Sequence, residues 1–510
     1  MSSGVTSSGL TVGDGDQLVV QNGGFAESIT IDLGGTIVLS SGGAASDLVV
    51  SSGGLVSGPG QLVGLNIITG VVSGVSVGLG GYDFNLLDIE SGGVANGVTA
   101  LPYTALYVGG GAVASLTVLE NYSDQIVESG GLAVGVLASG FYAQEIISSG
   151  GEASGGVFTD GGTEIVAAGA SALDISVASG GSAYVNGSAS GGGVSAGGAE
   201  TVVSGGVVQG VVVMSGGLEM LSAGATAIAV TVSSGGTIDL AAVIHSGQTV
   251  TALSGPATTS VSIDGVSVLS GAMLNPGNVK VLSGGTLSLG PGAIVSSVTI
   301  ASGGELIGSG AVVNDPFVYY PPSSSTIDGL IDGVSIGTSD GDPGTVIIRT
   351  GGSAVDVAVV AGLLQVNAGA TATGTTVSAA PYSQATLDLY GSAVGTVLTD
   401  DGQLIVESGG VTTGTQVNGF STEGIYSGGV ANDSVIGLFG TQVVLSGGTA
   451  SGTVVSSGGT EILSAGARAA AVTVSSGGAL GMTALISGGQ ALVVPQILQL
   501  AGSPSMVSPS

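Results

Sequence analysis

The stretch of sequence that decides the fold is TVSSGGTIDL, which runs from Thr231 to Leu240. Apolar and small polar residues alternate on both sides of the Gly-Gly pair, which is typical of two short, half-buried β-strands joined by a tight corner. Glycine suits such a corner because it adopts a positive φ without steric cost. Strands this short cannot bury a face alone, so the stretch predicts a unit that is stable only when stacked on similar units.

The same glycine rhythm recurs along the chain with a fixed spacing. In the first stretch the corner glycines are Gly23, Gly34, Gly42 and Gly53, at steps of 11, 8 and 11 residues. The same steps recur in three further stretches, which are 150–180, 205–235 and 447–477. One step of each kind makes a 19-residue period. We therefore predict an all-β fold, a right-handed parallel β-solenoid of roughly 27 coils.

A longer repeat indicates that the chain is a tandem duplication. Segment 219–236 recurs as 461–478, with the same Ser-Ala-Gly-Ala and Val-Thr-Val-Ser-Ser-Gly-Gly strings. We predict two β-solenoid halves, 1–254 and 255–510, with an insertion near 311–348 in the second half and a frayed tail over 495–510. The glycine rhythm lapses at 57–90, 254–281 and 311–348, where we expect the coils to break or to send out excursions.

Composition excludes several classes of function. The chain of 510 residues has 34 Asp and Glu but only 3 Lys and Arg, for a formal net charge of −31. Nucleic acids and anionic membrane surfaces are excluded as partners because both need a basic face on the protein. No apolar run is long enough for a membrane-spanning helix, and the absence of cysteine excludes disulfides and thiolate catalysis.

Carboxylates supply the candidate metal ligands, and calcium is the candidate ion. The Asp-Gly-Asp turns at Asp14 and Asp16 and at Asp340 and Asp342 offer the hard oxygen ligands that Ca²⁺ prefers. Glu200 and Glu219 are one period apart, so we expect them to stack in neighbouring coils. Two interpretations stay open for these carboxylates, a solvated acidic face and a weak surface calcium site; no other cofactor is expected.

Aromatic residues cluster in two places. Seven of the 18 Tyr and Phe residues fall between 82 and 142, namely Tyr82, Phe84, Tyr103, Tyr107, Tyr122, Phe141 and Tyr142. A second group, Phe317, Tyr319 and Tyr320, lies in one of the lapses of the glycine rhythm. Exposed aromatic residues on a surface of Ser, Thr and Gly would form a contact patch. The alternative is that they fill the core where the coils widen.

The recurring Val-x-Val-x-Ser-Gly-Gly cadence resembles the passenger repeats of AIDA-type autotransporter adhesins. This resemblance covers the blocks 18–56, 90–250, 280–306 and 400–490. It implies a surface-exposed, non-enzymatic β-helix that mediates adhesion and self-association, with heptose attached to serines of the repeat. Ser233, Ser234, Ser475 and Ser476 stand at matching repeat positions and are the glycosylation candidates.

We therefore expect an extracellular or bacterial cell-surface structural protein that associates with itself, in filaments or a surface layer. The candidate partners are a second copy of the chain and a cell-surface polysaccharide. Met1–Val5 has no basic segment followed by an apolar one, so no cleavable signal peptide is predicted in this chain. An intracellular scaffold filament is the first alternative, and a polysaccharide-active β-helix enzyme is the second.

Overall fold

The computed structural model describes residues 1–80, 84–241, 243–252, 255–257, 260–263, 265–277, 279–314, 324–482 and 499–501. Over these residues the secondary structure consists of β-strands and turns, with no helix. The strands stack in parallel as coils of about 19 residues, so the predicted all-β solenoid is confirmed. The described chain makes about 24 coils, fewer than the roughly 27 coils that the 19-residue period predicts for the whole chain.

Each coil contributes one strand to each of three parallel sheets, which we call face 1, face 2 and face 3. One coil, for example, places Val157–Thr159 on face 1, Thr163–Val166 on face 2 and Ser171–Leu173 on face 3. The register is that of the sequence period, because Thr163 pairs with Ser182 in the next coil. The coil is therefore the structural form of the repeat.

The chain divides into two compact units, and each unit has its own three faces. Unit 1 comprises Met1–Leu240 and Pro256–Leu274, and unit 2 comprises Ala241–Gly255 and Asn275–Ser510. Among the described residues, faces 1, 2 and 3 hold 15, 14 and 12 strands in unit 1, and 11, 12 and 11 strands in unit 2. These bounds differ from the predicted halves 1–254 and 255–510, because 241–255 belongs to unit 2 and 256–274 to unit 1. The division into duplicated halves stays a prediction.

Alternation of side chains along each strand builds the core. In Thr237–Leu240, Ile238 and Leu240 are buried, whereas Thr237 and Asp239 are half-buried. Because successive side chains of a strand point to opposite faces, every second residue enters the interior. The largest fully buried side chain is that of Phe158.

The candidate functional side chains lie at the corner between face 1 and face 2 and on the strands that flank it. On face 1 of unit 1 they are Thr99–Ala100, Val118–Leu119, Leu137–Ser139, Val157–Thr159, Ser176–Val177, Gly193–Val194, Val212–Val213 and Val230–Val232. On face 2 of unit 1 they are Asn85–Ile89, Thr104–Val108, Asp124–Val127, Gln144–Ile147, Thr163–Val166, Ser182–Val185, Ala199–Val202, Leu218–Leu221 and Thr237–Leu240.

Unit 2 has the corresponding strands in its second part. On face 1 they are Thr376–Ser378, Val397–Thr399, Gln416–Val417, Val435–Ile436, Val454–Val455 and Thr473–Ser475. On face 2 they are Gly344–Ile348, Gly362–Val366, Ala385–Leu389, Gln403–Val406, Thr422–Ile425, Thr441–Val444, Thr460–Leu463 and Ala479–Met482.

The predicted break at 57–90 is wrong for the residues described there. Gln61 pairs with Ala44 and with Ser76, and Ser76 pairs with Thr99, all in parallel. These coils are 17, 15 and 23 residues long, so the chain gains or loses residues at its corners while the strand register continues. The glycine rhythm lapses because coil length changes, and the stacking does not stop.

The longest strand of the coil changes face at this point, and glycine makes the change sterically feasible. Thr36–Leu39 lies on face 3, whereas the four-residue strand of the next coils, Leu65–Ile68, lies on face 2. At Gly58, with φ of 105°, a Cβ atom would stand 2.3 Å from the carbonyl oxygen of Leu39. Unit 2 repeats this geometry at Gly308, where φ is 114°. Only glycine permits so close an approach of two backbone segments.

The other two predicted interruptions differ from each other. Within 254–281, Val261–Ile263 and Val266–Val268 form an antiparallel pair, and the coil step from Thr231 to its partner Ser267 is 36 residues. Within 311–348, parallel pairing continues, since Val312 pairs with Ile336. The described part of the chain contains no candidate membrane-spanning helix.

Candidate functional site

In most of the described coils, the corner between face 1 and face 2 is formed by a residue in the left-handed region of backbone conformation. In most coils of unit 1 the column residue is glycine, as at Gly180 and Gly197, with φ of 87° and 78°. The amide of Gly180 donates to the carbonyl oxygen of Gly197 at 2.7 Å, and that of Gly197 donates to Gly216 at 2.9 Å. The corner therefore repeats with the same backbone geometry from coil to coil.

Three successive coils of unit 1 carry tyrosine at this glycine position. Tyr103, Tyr122 and Tyr142 have φ of 66°, 57° and 58°. The rings of Tyr103 and Tyr122 stack with centroids 5.1 Å apart and planes 3° apart, and those of Tyr122 and Tyr142 lie 5.6 Å and 29° apart. Phe141 packs edge-on against Tyr142 at 4.5 Å. We call Tyr103, Tyr122, Phe141 and Tyr142 the aromatic column of unit 1.

Unit 2 has a second aromatic column at the same corner. Phe420 and Phe439 have φ of 64° and 60°, and their rings stack 4.7 Å apart with planes 3° apart. Tyr382 occupies the corner position two coils earlier with φ of 64°, and Asp401 occupies it in the coil between. We call Phe420 and Phe439 the aromatic column of unit 2.

The aromatic columns face solvent. Tyr122, Phe141 and Tyr142 are 43%, 59% and 57% exposed, and Phe420 and Phe439 are 68% and 53% exposed. The alternative that these side chains fill the core is therefore wrong for these five residues, while Tyr103 is half-buried. Stacked rings at one per coil form a short apolar strip along this corner in each unit.

The residues predicted to form a contact patch differ in position and exposure. Tyr103 belongs to the aromatic column, and Phe84 is exposed at the end of the loop before face 2. Tyr107 is half-buried on the outer side of face 2, in register with Asp88 and Ile126. The remaining four predicted residues, Tyr82, Phe317, Tyr319 and Tyr320, lie outside the described residues. A contact role for any of these residues stays a prediction.

Three residues after the corner, the coils carry a line of buried carboxyl and carboxamide side chains. They all occupy the second position of a face 2 strand and point into the solenoid. We call them the carboxyl spine: Gln125, Glu145, Glu164, Glu200 and Glu219 in unit 1, and Glu423, Gln442 and Glu461 in unit 2. Each is at most 2% exposed.

The carboxyl spine is in register from coil to coil. Gln125 pairs with Glu145, which pairs with Glu164, and Glu200 pairs with Glu219. The predicted stacking of Glu200 and Glu219 is thus confirmed. The expectation that these two carboxylates lie on the surface is wrong, because both side chains enter the core.

No cation compensates the carboxyl spine. The three basic residues of the chain, Lys280, Arg349 and Arg468, are all exposed, and so is His245. Among the described residues the one ion pair joins Arg349 to Asp328 across 4.0 Å at the surface. A buried carboxylate without a cation is costly, so these groups take up protons.

The pKa of each spine carboxyl is accordingly raised. Burial raises the pKa of Glu145 to about 8, although the hydrogen bond from Gln125 opposes the shift. Burial and the neighbouring carboxyls hold the pKa of Glu164 well above its usual range. Burial raises the pKa of Glu200 to about 7. In Glu219, burial and the charge of Glu200 raise the pKa.

In unit 2, Gln442 makes two hydrogen bonds within the core. Gln442 donates from Nε2 to Oε2 of Glu423 at 2.7 Å and accepts from the Thr453 hydroxyl at 3.1 Å. Burial raises the pKa of Glu423, and the bond from Gln442 opposes it. Burial and the charge of Glu423 raise the pKa of Glu461 to about 7. The apolar core of each unit therefore contains a line of carboxamides and of carboxyl groups with raised pKa values.

The other calcium candidates are surface residues. Asp14 and Asp16 are exposed on one turn, and Asp340 and Asp342 on another, where the Thr338 hydroxyl contacts Asp342. Over the described residues, no three Asp, Glu or His side chains converge to hold a metal ion. Burial raises the pKa of both Glu200 and Glu219, which disfavours the carboxylate form that metal ligation requires. Calcium binding at the exposed turns stays a prediction.

The glycosylation candidates lie at the same corner as the aromatic columns. Ser234 and Ser476 directly precede the corner glycines of their coils and are exposed, while Ser233 and Ser475 are half-buried one residue earlier. Hydroxyl groups are therefore accessible at this corner in both units. Their modification stays a prediction.

Sequence reasoning missed two features. The inward direction of Glu145 and Glu164 could have been found from strand parity, since Glu164 is two residues before the apolar Val166 in Thr-Glu-Ile-Val. The aromatic column of unit 2 could have been found by aligning Phe420 and Phe439 with the glycines of the 19-residue period.

Comparison with known proteins adds little to this description. No family profile and no curated protein matches the sequence. Among solved structures 11 chains match. One of them is a crystal structure of a TibC-catalysed, hyper-glycosylated TibA fragment, with 20% sequence identity over 94% of this chain and 97% of that chain, and a TM-score of 0.14. Because that score reflects no overall superposition, the fold assignment rests on the strands of this chain.

Proposed function

We propose that the protein is a non-enzymatic adhesive β-solenoid, displayed at a cell surface, that binds other surfaces and its own copies through repeated weak contacts. The observation that carries this proposal is the exposed aromatic column, which appears at the same corner in both units. Side chains repeated at each coil act as a multivalent surface, in which many weak contacts add up to strong attachment.

The burial pattern supports a structural role for the rest of the chain. Inward positions are filled by apolar side chains and by the carboxyl spine, while the exposed corners are rich in Ser and Gly. The resemblance of the repeats to those of AIDA-type adhesins points in the same direction. Attachment to a second copy has to overcome a net charge of −31 on each chain, so self-association is expected to need screening by salt.

Adhesion of coated beads tests the proposal. Inert beads carrying the purified chain should clump with each other and attach to bacterial cells at physiological ionic strength, whereas beads carrying a globular protein of similar net charge should not. Sedimentation of the free protein across a concentration series should show growing assemblies. Dispersed beads together with monomers at every concentration would contradict the proposal. Antibody labelling of intact cells tests surface display.

A further inference from the structure

We propose that the outer side of face 2 in unit 1 is an interface at which two copies of the chain pair with their solenoids antiparallel. This inference rests on the proposed self-association and names the surface that carries it. The surface is a row of large side chains, one in each of five successive coils. We call it the outer ladder: Tyr107, Ile126, Ile146, Ile165 and Tyr184.

The outer ladder lies on the solvent side of its sheet. In Gln144–Ile147, for example, Glu145 and Ile147 are buried in the core, whereas Ile146 between them points outwards and is half-buried. Tyr184, at one end of the ladder, is 48% exposed. Neighbouring ladder residues cover one another only along the stack, because their strands lie about 4.8 Å apart, and their outward ends stay open to solvent.

The coil does not require a large apolar residue at this position. In unit 1 the same column carries Asp88 one coil before the ladder and Thr201 one coil after it. In unit 2 the corresponding column of face 2 carries Gln365 and Asp388 in successive coils. A contiguous apolar row at a position that accepts polar residues is typical of a contact surface.

Charge identifies a second copy as the occupant. Over the five strands from Gln144–Ile147 to Leu218–Leu221, no outward residue of face 2 is charged. Two chains that each carry a net charge of −31 repel each other least where uncharged surfaces meet. A second copy also presents the same spacing of one side chain per coil, so the side chains of two ladders interdigitate as in paired sheets.

The charges at one end of the ladder select the antiparallel arrangement. Asp124 and Glu128 stand two residues before and after Ile126 on the outer side of the sheet. In a parallel two-fold pair every coil faces the same coil of the other copy, so these carboxylates would face each other. An antiparallel pair instead places them opposite the coil of Thr201, whose strand Ala199–Val202 has no outward charge.

The size of the surface indicates a weak interface. The seven strands from Thr104–Val108 to Leu218–Leu221 stack over about 30 Å, and five residues along a strand extend about 17 Å, so each copy offers about 500 Å². The two copies together would bury about 1,000 Å², which is at the low end for specific interfaces and typical of transient ones. We therefore expect dimers that dissociate on dilution.

Sedimentation of the full chain over a concentration series tests the interface. The variant Ile146→Thr/Ile165→Thr should raise the dissociation constant of the dimer about tenfold or more, because it removes apolar contact area in both copies. Threonine is chosen because Thr201 occupies the same column, so the coil accepts it. The matched control is Val94→Thr/Val113→Thr, which changes two half-buried outward residues in paired strands of face 3 and should leave the dissociation constant unchanged.

Cross-linking tests the orientation, because the chain has no native cysteine. Ser129 and Ser204 are exposed at the edge of face 2, in the coils of Ile126 and Thr201, which lie four coils apart. With a short bis-maleimide, a mixture of the Ser129→Cys and Ser204→Cys chains should give cross-linked dimers, whereas each variant alone should give few. Efficient cross-linking of Ser129→Cys to itself would overturn the antiparallel arrangement.

Three results would overturn the interface itself: a wild-type chain that stays monomeric, an unchanged dissociation constant in Ile146→Thr/Ile165→Thr, or an equal loss in the control. The far-UV circular dichroism spectrum shows whether each variant keeps its strands. Coated beads that still attach to bacterial cells in any of these cases would leave the proposed adhesive function standing, whereas beads that never adhere would remove it as well.

Discussion

Replacing Glu145 with glutamine tests the carboxyl spine, because the change removes the ionisable group and keeps the shape of the side chain. The spine itself uses glutamine at Gln125 and Gln442, so its register accepts a carboxamide. The measured quantity is the free energy of unfolding as a function of pH.

Whether the free energy of unfolding rises or falls with pH follows from the direction of the pKa shift of Glu145. The pKa of Glu145 rises from 4.5 to about 8 on folding, so between these pH values the folded chain holds one proton more than the unfolded chain. Stability is therefore complete below about pH 4.5 and declines as pH rises towards 8. At about 1.4 kcal/mol per pH unit, this group alone removes about 4 kcal/mol between pH 4.5 and 7.5.

Two further groups act in the same direction. The pKa values of Glu200 and Glu461 are each raised to about 7, and each group accounts for up to about 3 kcal/mol over the same range. These losses are large against the ~5–15 kcal/mol that stabilises a typical domain. We therefore expect the wild-type solenoid to be most stable at acidic pH and to weaken as pH rises from about 4.5 to about 8.

The assay is urea unfolding followed by far-UV circular dichroism at pH 4.5 and 7.5, with hydrogen exchange of the strand Gln144–Ile147 as a local measure. Glu145→Gln should be within about 1 kcal/mol of the wild type at pH 4.5 and up to about 4 kcal/mol more stable at pH 7.5. Glu152→Gln, in the same coil but exposed, should behave alike at both pH values. A stability difference between Glu145→Gln and wild type that is the same at both pH values would refute the reasoning.

Three further outcomes are expected. Phe158→Ala should lower the free energy of unfolding by about 3–5 kcal/mol in urea titrations, because Phe158 is fully buried; a loss below 1 kcal/mol would contradict its place in the core. Gly58→Ala should lower the urea midpoint more than Gly74→Ala, since only the first places a Cβ against a backbone oxygen, at 2.3 Å; equal effects would contradict the close approach. Self-association measured by light scattering should rise with ionic strength, and scattering independent of salt would contradict electrostatic opposition.

The sequence alone predicted the fold because its strongest signal is periodic. Each coil contacts only its neighbours, so a 19-residue spacing of corner glycines such as Gly205, Gly216 and Gly224 translates directly into stacked strands. The stacking of Glu200 on Glu219 followed from the same spacing. The break expected at 57–90 was wrong because coils change length at corners, which alters the glycine rhythm without altering the strand register.

The site was harder to predict because it depends on where each residue lies within the coil and on whether its side chain points inwards or outwards. The charge of Glu200 and Glu219 suggested a surface position. Both side chains lie in the core, because they occupy strand positions whose side chains alternate towards the interior. Aromatic clustering pointed to the segment that contains Tyr103, but clustering does not reveal that Tyr122 and Tyr142 replace corner glycines. That equivalence appears only once the coils are in register.

The most direct test of an adhesive role is the attachment of beads coated at equal density with the wild-type chain or with the variant Tyr122→Gly/Tyr142→Gly/Phe420→Gly/Phe439→Gly. The measured quantity is the number of beads bound per bacterial cell at physiological ionic strength. We predict that wild-type beads attach and that the variant loses most of the attachment while keeping its far-UV circular dichroism spectrum. Equal attachment of both kinds of bead, or attachment of neither, would contradict adhesion through the aromatic columns.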